Sequence, residues 1–408
     1  MNLCRFDIAS DERPATLYLR EYETCQSDRI SDEQARSLRE RFGRYVTISP
    51  AWEPGAWEIA AKQYVGVIAM SDLRLIIEPK VSLQNLFYML TYAYDLPDFR
   101  PEAFELEAGD DLFEFIVVIF LRQVEQLIRR GIYRAYISRD EDARFLRGRL
   151  LLTEHLQRNA VRVQRFYQRN VEFTADVLEN RILKHTLWLL SRLDFSQPNL
   201  RQQVRRAASG FAEVSPVPIV PTDCDSVIYT RLNAAYRSRI NLARLLMQHL
   251  SLEGQTGATQ FAAYLFDMSK VFELFVARFL ETHFADHPSI QVDIQQDIWL
   301  DEDQKEVGIP DIVLRRDSRR YLVLDTKYKV FGQRPEAADR NQMLVYCHTL
   351  GLRHGSLIYA NDQPVNYRVP FKGVTLNAQA LSLHGTLAEF RERCCHFANS
   401  FAETVSLG

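Results

Sequence analysis

The 408-residue sequence holds six cysteines, Cys4, Cys25, Cys224, Cys347, Cys394 and Cys395, with no Cys-x-x-Cys spacing among them. That scatter argues against a disulfide framework and against a zinc knuckle. Long apolar runs are lacking too. The longest, Phe115–Leu121, is closed off by Glu114 and Arg122, whereas a membrane-spanning helix needs about 20 apolar residues. The first residues carry Arg5 and Asp7 without the apolar stretch of a secretory signal. No Gly-x-x-x-x-Gly-Lys-Ser/Thr loop occurs, so no bound nucleotide is expected on this chain. Nor does one sign of charge dominate. Fifty Lys and Arg against 53 Asp and Glu leave a net charge of −3, which neither announces nor excludes nucleic acid. What is present is ordinary globular composition, 47% apolar and 25% charged. At about 150 residues per domain the length allows two to three domains. A soluble, cytoplasmic protein with no membrane partner is expected.

The hydrophobic period changes along the chain. Thr16–Tyr22, Tyr45–Ser49, Tyr64–Ile68 and Leu73–Ile77 alternate as strands do, the last two as a hairpin around Met70, Ser71 and Asp72. One polar helix, Asp32–Phe42, interrupts them, and a small barrel or sandwich is expected here. From about Leu83 the period becomes helical. Leu86, Phe87, Leu90 and Tyr94 form a stripe, and Leu112–Gly131 ends on Arg129-Arg130-Gly131, a helix stop signal. Thr174–Leu193 reads as a helix capped by Thr174 and supported by Asp176. Leu200–Phe211 and Tyr229–Leu250 follow as helices, with the Pro-rich Val214–Pro221 link extended between them. The last third alternates helix and strand: helix Met268–His283, strands Ser289–Leu300, Ile309–Arg316 and Tyr321–Tyr328, helix Pro335–Leu350, and strand Gly355–Ala360. That order describes a domain built on a central sheet.

The chemistry concentrates in Gly308-Ile-Pro-Asp311 and Tyr321-Leu-Val-Leu-Asp-Thr-Lys327. Side chains alternate with period 2 along a strand, so Asp325 and Lys327 share a face. Charges at the end of an apolar strand need a partner or a metal. If the two strands form a hairpin, Asp311 comes close to Asp325, and paired carboxylates suit Mg²⁺ or Mn²⁺. Such an ion polarises phosphate and acidifies water; Lys327 then orients or deprotonates the water, or neutralises developing charge. Glu273 lies on an apolar helical stripe with Val276, Ala277 and Leu280. It can complete a metal shell, or pair with Lys327 as an ordinary ion pair. Gln342 and Tyr346 are four apart and share a helix face.

Acidic helix, Pro-Asp, apolar strand ending Asp-x-Lys, and Gln-x-x-x-Tyr helix, in this order, resemble the PD-(D/E)xK nuclease superfamily across about residues 260–362. Asp311, Asp325 and Lys327 fall on that family's catalytic motif, Glu273 on its helix acid, and Gln342 and Tyr346 on its following helix. Thr326 fills the variable position, whose backbone carbonyl the resemblance makes a metal ligand. Further stretches are similar to McrC proteins: Thr16–Tyr22, Val65-Gly66, Ile77-Glu-Pro-Lys80, Tyr88-Met-Leu90, Leu146-Arg-Gly148, Asn180-Arg-Ile-Leu183, Phe266-Asp-Met268 and Leu324-Asp-Thr-Lys-Tyr-Lys329.

The McrC resemblance implies an α+β multidomain fold: a β-rich partner-docking domain (1–82), a helical middle region (83–254) and a PD-(D/E)xK nuclease domain (255–408). It implies the Mg²⁺-dependent endonuclease subunit of a type IV restriction system acting on double-stranded DNA with modified cytosine, 5-methylcytosine. The expected partner is a McrB-like AAA+ GTPase hexamer, whose GTP hydrolysis the subunit stimulates. Tyr328 and Lys329 beside the catalytic strand are candidate DNA contacts, as are Arg147 and Arg149 in the basic stretch Arg144–Arg169, which can equally be a solvated helix face. Two other readings stand beside this one: a stand-alone repair or recombination nuclease, and a non-cutting activator of a ring NTPase.

Overall fold

The computed structural model describes residues 5–7, 14–70, 72–96, 112–162, 164–193, 195–197, 199–253, 261–287, 289–329, 331–332, 334–365 and 367–403. Ser71 of the expected hairpin turn and the expected boundary at 254/255 lie outside them. The chain divides into two compact units, one of residues 1–113 and 249–408, the other of 114–248.

The first half of the first unit runs β1 (Arg5–Asp7), β2 (Ala15–Arg20), β3 (Thr24–Ser27), α1 (Asp32–Phe42), β4 (Val46–Pro50), β5 (Trp57–Ala61), β6 (Tyr64–Ala69), β7 (Leu73–Glu78) and α2 (Leu83–Ala93). Alternation sets β2: Leu17 and Leu19 are buried while Thr16 and Tyr18 are partly open. A reciprocal cap starts α1, where Ser31 Oγ accepts from the Gln34 amide and Gln34 Oε1 from the Ser31 amide. The helix buries Ala35, Leu38 and Phe42 in a core shared with β2, β6 and β7.

The second unit contains α3 (Leu112–Arg130, whose first two residues belong to the first unit), β8 (Ala135–Ala143), β9 (Arg149–Leu150), α4 (Leu152–Asn159), β10 (Phe166–Thr174), α5 (Leu178–Leu190), α6 (Leu200–Ser209) and α7 (Arg237–His249). The middle of the chain is therefore not purely helical. β8, β10 and β9 form an antiparallel sheet, with β10 paired to β8 along all nine of its residues. Thr174 ends a strand instead of capping a helix, because Phe166–Thr174 pairs with β8 throughout and the next helix starts only at Leu178. Asp176 holds Arg139, Arg181 and Ser215. The Arg144–Arg169 stretch is likewise strand, short helix and strand, not one helix face. The helix expected from Tyr229 begins at Arg237, after the turn in which Asn233 Oδ1 accepts from the Thr230 amide.

The chain returns to the first unit with β11 (Leu250–Glu253), β12 (Phe261–Asp267), α8 (Met268–His283), β13 (Ile290–Ile294), β14 (Ile298–Trp299), β15 (Val307–Gly308), β16 (Ile312–Arg316), β17 (Arg319–Lys327), α9 (Ala337–Leu350), β18 (His354–Tyr359), β19 (Tyr367–Phe371), β20 (Val374–Ala380) and α10 (Leu387–Glu403). β12 and β11 do not join the C-terminal sheet. They extend the N-terminal one, in the order β1-β2-β7-β6-β12-β11. That sheet is open, with a separate three-stranded sheet β3-β5-β4, where the sequence suggested a small barrel or sandwich. Gly66 makes the β6–β12 pairing possible: its φ is +139°, and a Cβ there would run into the Tyr264 carbonyl.

The C-terminal sheet has the order β13-β16-β17-β18-β20-β19. β16 and β17 are antiparallel, turned at Asp317 and Ser318 with φ of 48° and 67°, the left-handed pair that suits strand twist. β17 and β18 are parallel, with α9 as the crossover. Among the described cysteines, Cys224, Cys347, Cys394 and Cys395 are free, while Cys25 is disulfide-bonded, which the scattered spacing did not anticipate. No helix among the described residues is long and apolar enough to cross a membrane.

Candidate active site

The open end of the β16–β17 hairpin brings two carboxylates together. Ile312 pairs with Leu324, so Asp311 and Asp325 are the next positions outward on the two strands. Asp311 Oδ2 accepts from both the amide and the hydroxyl of Thr326, each at 2.7 Å. Burial, then the charges of Asp325 and Glu273, push its carboxyl up to about 7, against the pull of those two Thr326 bonds. Asp325 is 3% exposed. Burial raises its pKa as well, although Lys327 opposes the shift.

Lys327 Nζ lies 2.5 Å from Asp325 Oδ2, yet no hydrogen bond of regular geometry reaches that oxygen. The ammonium also sits 3.9 Å from Asp339 Oδ1 and donates to Gln342 Oε1 at 3.4 Å. Burial pulls the Lys327 pKa down, but Asp325 and Asp339 outweigh it and the net direction is up. The side chain is a cation at neutral pH. Gln342 Nε2 donates to the Tyr346 hydroxyl at 3.0 Å, and that hydroxyl to the Ile309 carbonyl at 3.3 Å. The helix pair thus reaches the Gly308–Asp311 segment. Gly308 permits it, since a Cβ there would stand 2.9 Å from the Tyr346 ring.

Glu273 acts on Asp311 and Asp325 through its charge and makes its hydrogen bonds elsewhere. Its Oε1 accepts from Lys270 Nζ at 2.8 Å and from Gln295 Nε2, so the ion pair considered with Lys327 is made with Lys270. Tyr328 is 9% exposed and its hydroxyl donates to Glu21 Oε1 at 2.7 Å; it faces inward. Lys329 pairs with Glu336 at 2.8 Å and Asp339 at 2.9 Å. Arg147 and Arg149 are exposed and belong to the second unit, where the Arg147 amide donates to Gln168 Oε1.

Two participants were not anticipated from the sequence. The Gln295 amide donates to the Asp311 carbonyl at 3.1 Å while its side chain reaches Glu273. Only the β13–β16 pairing reveals that link. Asp339 is buried among Lys327, Lys329 and the Tyr359 hydroxyl. Its position three residues before Gln342 was the available signal.

Among the described residues no group of three or more His, Cys, Asp or Glu forms a metal cage. The carboxylate pair by itself fits a hard divalent cation. It offers buried oxygens, one without a regular hydrogen bond, whose mutual repulsion a 2+ charge relieves.

The fold is mixed α+β, and its candidate site is an acid–acid–lysine set at the open end of two interior strands of the C-terminal sheet. The chain belongs to the McrBC 5-methylcytosine restriction system component family, which matches residues 59–360. It is McrC-like. It is 22% identical over 329 residues to the type IV methyl-directed restriction enzyme EcoKMcrBC of Escherichia coli K12, covering 75% of this chain and 94% of that protein. In fold it is similar to a chain of the refined half-complex from the tetradecameric assembly of Thermococcus gammatolerans McrB AAA+ hexamers with bound McrC. The TM-score is 0.59 at 20% identity, over 95% of this chain and 100% of that one. A chain of the cryo-EM structure of the Thermococcus gammatolerans McrBC complex aligns at a TM-score of 0.44 and 21% identity, over 67% of this chain and 89% of that one.

Proposed function

We propose that this chain is the nuclease subunit of a modification-dependent restriction complex, hydrolysing DNA phosphodiesters at a PD-(D/E)xK-type site. The observation that carries the reading is the β16–β17 pairing, which sets Asp311 beside Asp325 with Lys327 in ion-pair contact. Asp311, Asp325 and the Thr326 carbonyl would hold Mg²⁺ or Mn²⁺. An ion held there would supply polarisation of the phosphate and a more acidic water. Thr326 fixes the Asp311 carboxylate through two hydrogen bonds. Lys327, charged at neutral pH, meets negative charge developing on phosphorus oxygens and serves as an electrostatic stabiliser, not as a base. Gln342 and Asp339 hold the ammonium in place.

The partner in this reading is a McrB-like AAA+ GTPase ring that recognises 5-methylcytosine and whose GTP hydrolysis the chain stimulates. Its support is family membership together with the fold likeness to a chain of an McrB–McrC assembly. The β-rich residues 1–82 are one candidate docking module. A specific observation favours a second: Tyr136, Phe145, Leu146, Leu152, Leu156, Val171 and Phe173 are exposed on β8, α4, β10 and the segment between β8 and β9. Exposed apolar side chains at this density mark an interaction surface.

The test is cleavage of methylated plasmid by the chain with its ring partner, Mg²⁺ and GTP. Asp325→Ala and Lys327→Ala should each abolish cutting while GTPase stimulation persists; full-rate cutting by either rules the site out. Robust cutting by the chain without a ring favours the stand-alone nuclease. Stimulation lost in a Phe145→Ser, Leu146→Ser double variant of unchanged thermal midpoint assigns docking to the second unit, and stimulation that persists there leaves it with residues 1–82.

A further inference from the structure

A cavity of about 90 Å³ opens beside the end of β17, lined by Tyr22, Lys80, Tyr328, Lys329, Asn361 and His384 among others. Its walls come from distant parts of the sequence. Tyr328 and Lys329 directly follow Lys327, and the Ala360 amide donates to the Lys327 carbonyl at 3.1 Å, which brings the end of β18 alongside. The opposite wall follows β2 and β7. The Tyr22 hydroxyl donates to the Tyr328 carbonyl at 3.1 Å. Beneath both walls, the buried Glu21 Oε1 accepts from the Tyr328 hydroxyl at 2.7 Å and the Lys80 amide at 2.8 Å.

Within the cavity the cations differ in what they already hold. Lys329 is engaged by Glu336 and Asp339. His384 faces Asp362 at 3.2 Å, and Asp362 also accepts from the Ser382 hydroxyl. Lys80 lies over the Tyr22 ring, its ammonium 4.1 Å from the ring centroid; no carboxylate among the described residues is within ion-pair distance of it, although its charge and that of His384 act on the buried Glu21 carboxyl. Tyr22 keeps this arrangement at a φ of 61°, a left-handed conformation uncommon for a bulky side chain and typical of functional sites. A half-buried ammonium on an aromatic wall, beside a second lysine, suits an oxyanion with a flat neighbour.

We propose that this cavity is a backbone-phosphate subsite for the DNA strand being cut, with Lys80 as its principal cation and Tyr22 as its wall. The assignment rests on the nuclease reading above. Lys329 is two residues past Lys327, so the cavity it lines opens next to the end of the strand that carries the site. The subsite therefore takes a phosphate close to the scissile one on the same strand. A free nucleotide carries the same phosphate chemistry, and the experiment separates the two sources.

The full chain is titrated into a fluorescent short duplex in Ca²⁺ across a salt series, with GTP as the competing probe. Lys80→Ala should weaken duplex binding several-fold and reduce the slope of log affinity against log salt by about one, the loss of one phosphate contact. Lys80→Arg should restore both. An unchanged slope in Lys80→Ala, no binding by the wild type, or displacement of the duplex by GTP through Lys80 each overturns the subsite. Matching thermal midpoints for the variants exclude misfolding as the cause. Asp325→Ala is assayed for cutting in parallel. Full-rate cutting there defeats the active site assigned to Asp325, on which this subsite rests, whereas loss of cutting with an unaltered Lys80→Ala slope defeats only the subsite.

Discussion

Asp311 Oδ2 receives two hydrogen bonds from Thr326, one from the backbone amide and one from the hydroxyl. The acid of one strand is thereby fixed by the residue lying between Asp325 and Lys327 on the next. Residue 326 thus positions a carboxylate through its side chain as well as offering a carbonyl. Thr326→Val keeps the shape and the amide bond but removes the hydroxyl donor. A hydrogen bond to a charged group is worth about 1.5–3 kcal/mol, or roughly 10- to 100-fold. Metal-dependent cutting should fall by about that factor in Thr326→Val and recover in Thr326→Ser. Equal rates in Thr326→Val and the wild type would show that the hydroxyl does not position Asp311.

A pH dependence follows from His249. Its Nδ1 is 2.9 Å from the Leu265 carbonyl, which requires an N–H there, so Nε2 accepts from the Tyr94 hydroxyl at 2.9 Å. Burial pushes the imidazole pKa down to about 4, although the Leu265 carbonyl and Asp267 oppose the shift. The folded chain binds this proton less readily than the unfolded chain does. Stability is thus full above about pH 6.5 and is lost towards about pH 4, at up to about 1.4 kcal/mol per unit. Thermal melts across that window should show a shallower acid loss in His249→Gln, whose amide can replace both bonds. An unchanged acid limb would remove His249 as the cause.

Gly66 supplies a stability test of the sheet joining the two ends of the first unit. With φ at +139° and the Tyr264 carbonyl in the path of a Cβ, an alanine must displace β6 from β12. Gly66→Ala should destabilise by at least about 1–3 kcal/mol, measured as a lower urea midpoint. The change should also disturb α8, which follows β12 directly and starts on the Asp267 cap. Wild-type stability in this variant would contradict the close β6–β12 approach.

The site was more legible in the sequence than the architecture around it. Period-2 alternation placed Asp325 and Lys327 on one face, and the hairpin that brings Asp311 near follows from two apolar runs around Asp317-Ser318. Alternation says nothing about which distant strand completes a sheet. That β12 pairs with β6, about two hundred residues away, was therefore invisible. Phe166–Thr174 shows the same limit, since it became strand through pairing with β8. Asp339 and Gln295 escaped notice because a lone polar residue becomes informative only when its neighbours across the fold are known.

Asp176 is where the helix reading failed, and the structure gives it a different task. It is 8% exposed and accepts from Arg139, from both Arg181 donors, and from the amide and hydroxyl of Ser215. Arg181, then Ser215 and Arg139, hold its carboxyl far below the ordinary range despite burial. One side chain thus ties β8, α5 and the segment after α6 within the second unit. Asp176→Asn keeps the size but loses the charge that both arginines need. It should lower stability by about 2–4 kcal/mol, with Arg139 and Arg181 left near an uncharged amide. Because the carboxyl's pKa is depressed, its contribution is present above about pH 4 and lost below it. The wild type and Asp176→Asn should therefore converge in melting temperature as pH falls, and a constant gap would mean that packing, not charge, is the role of Asp176.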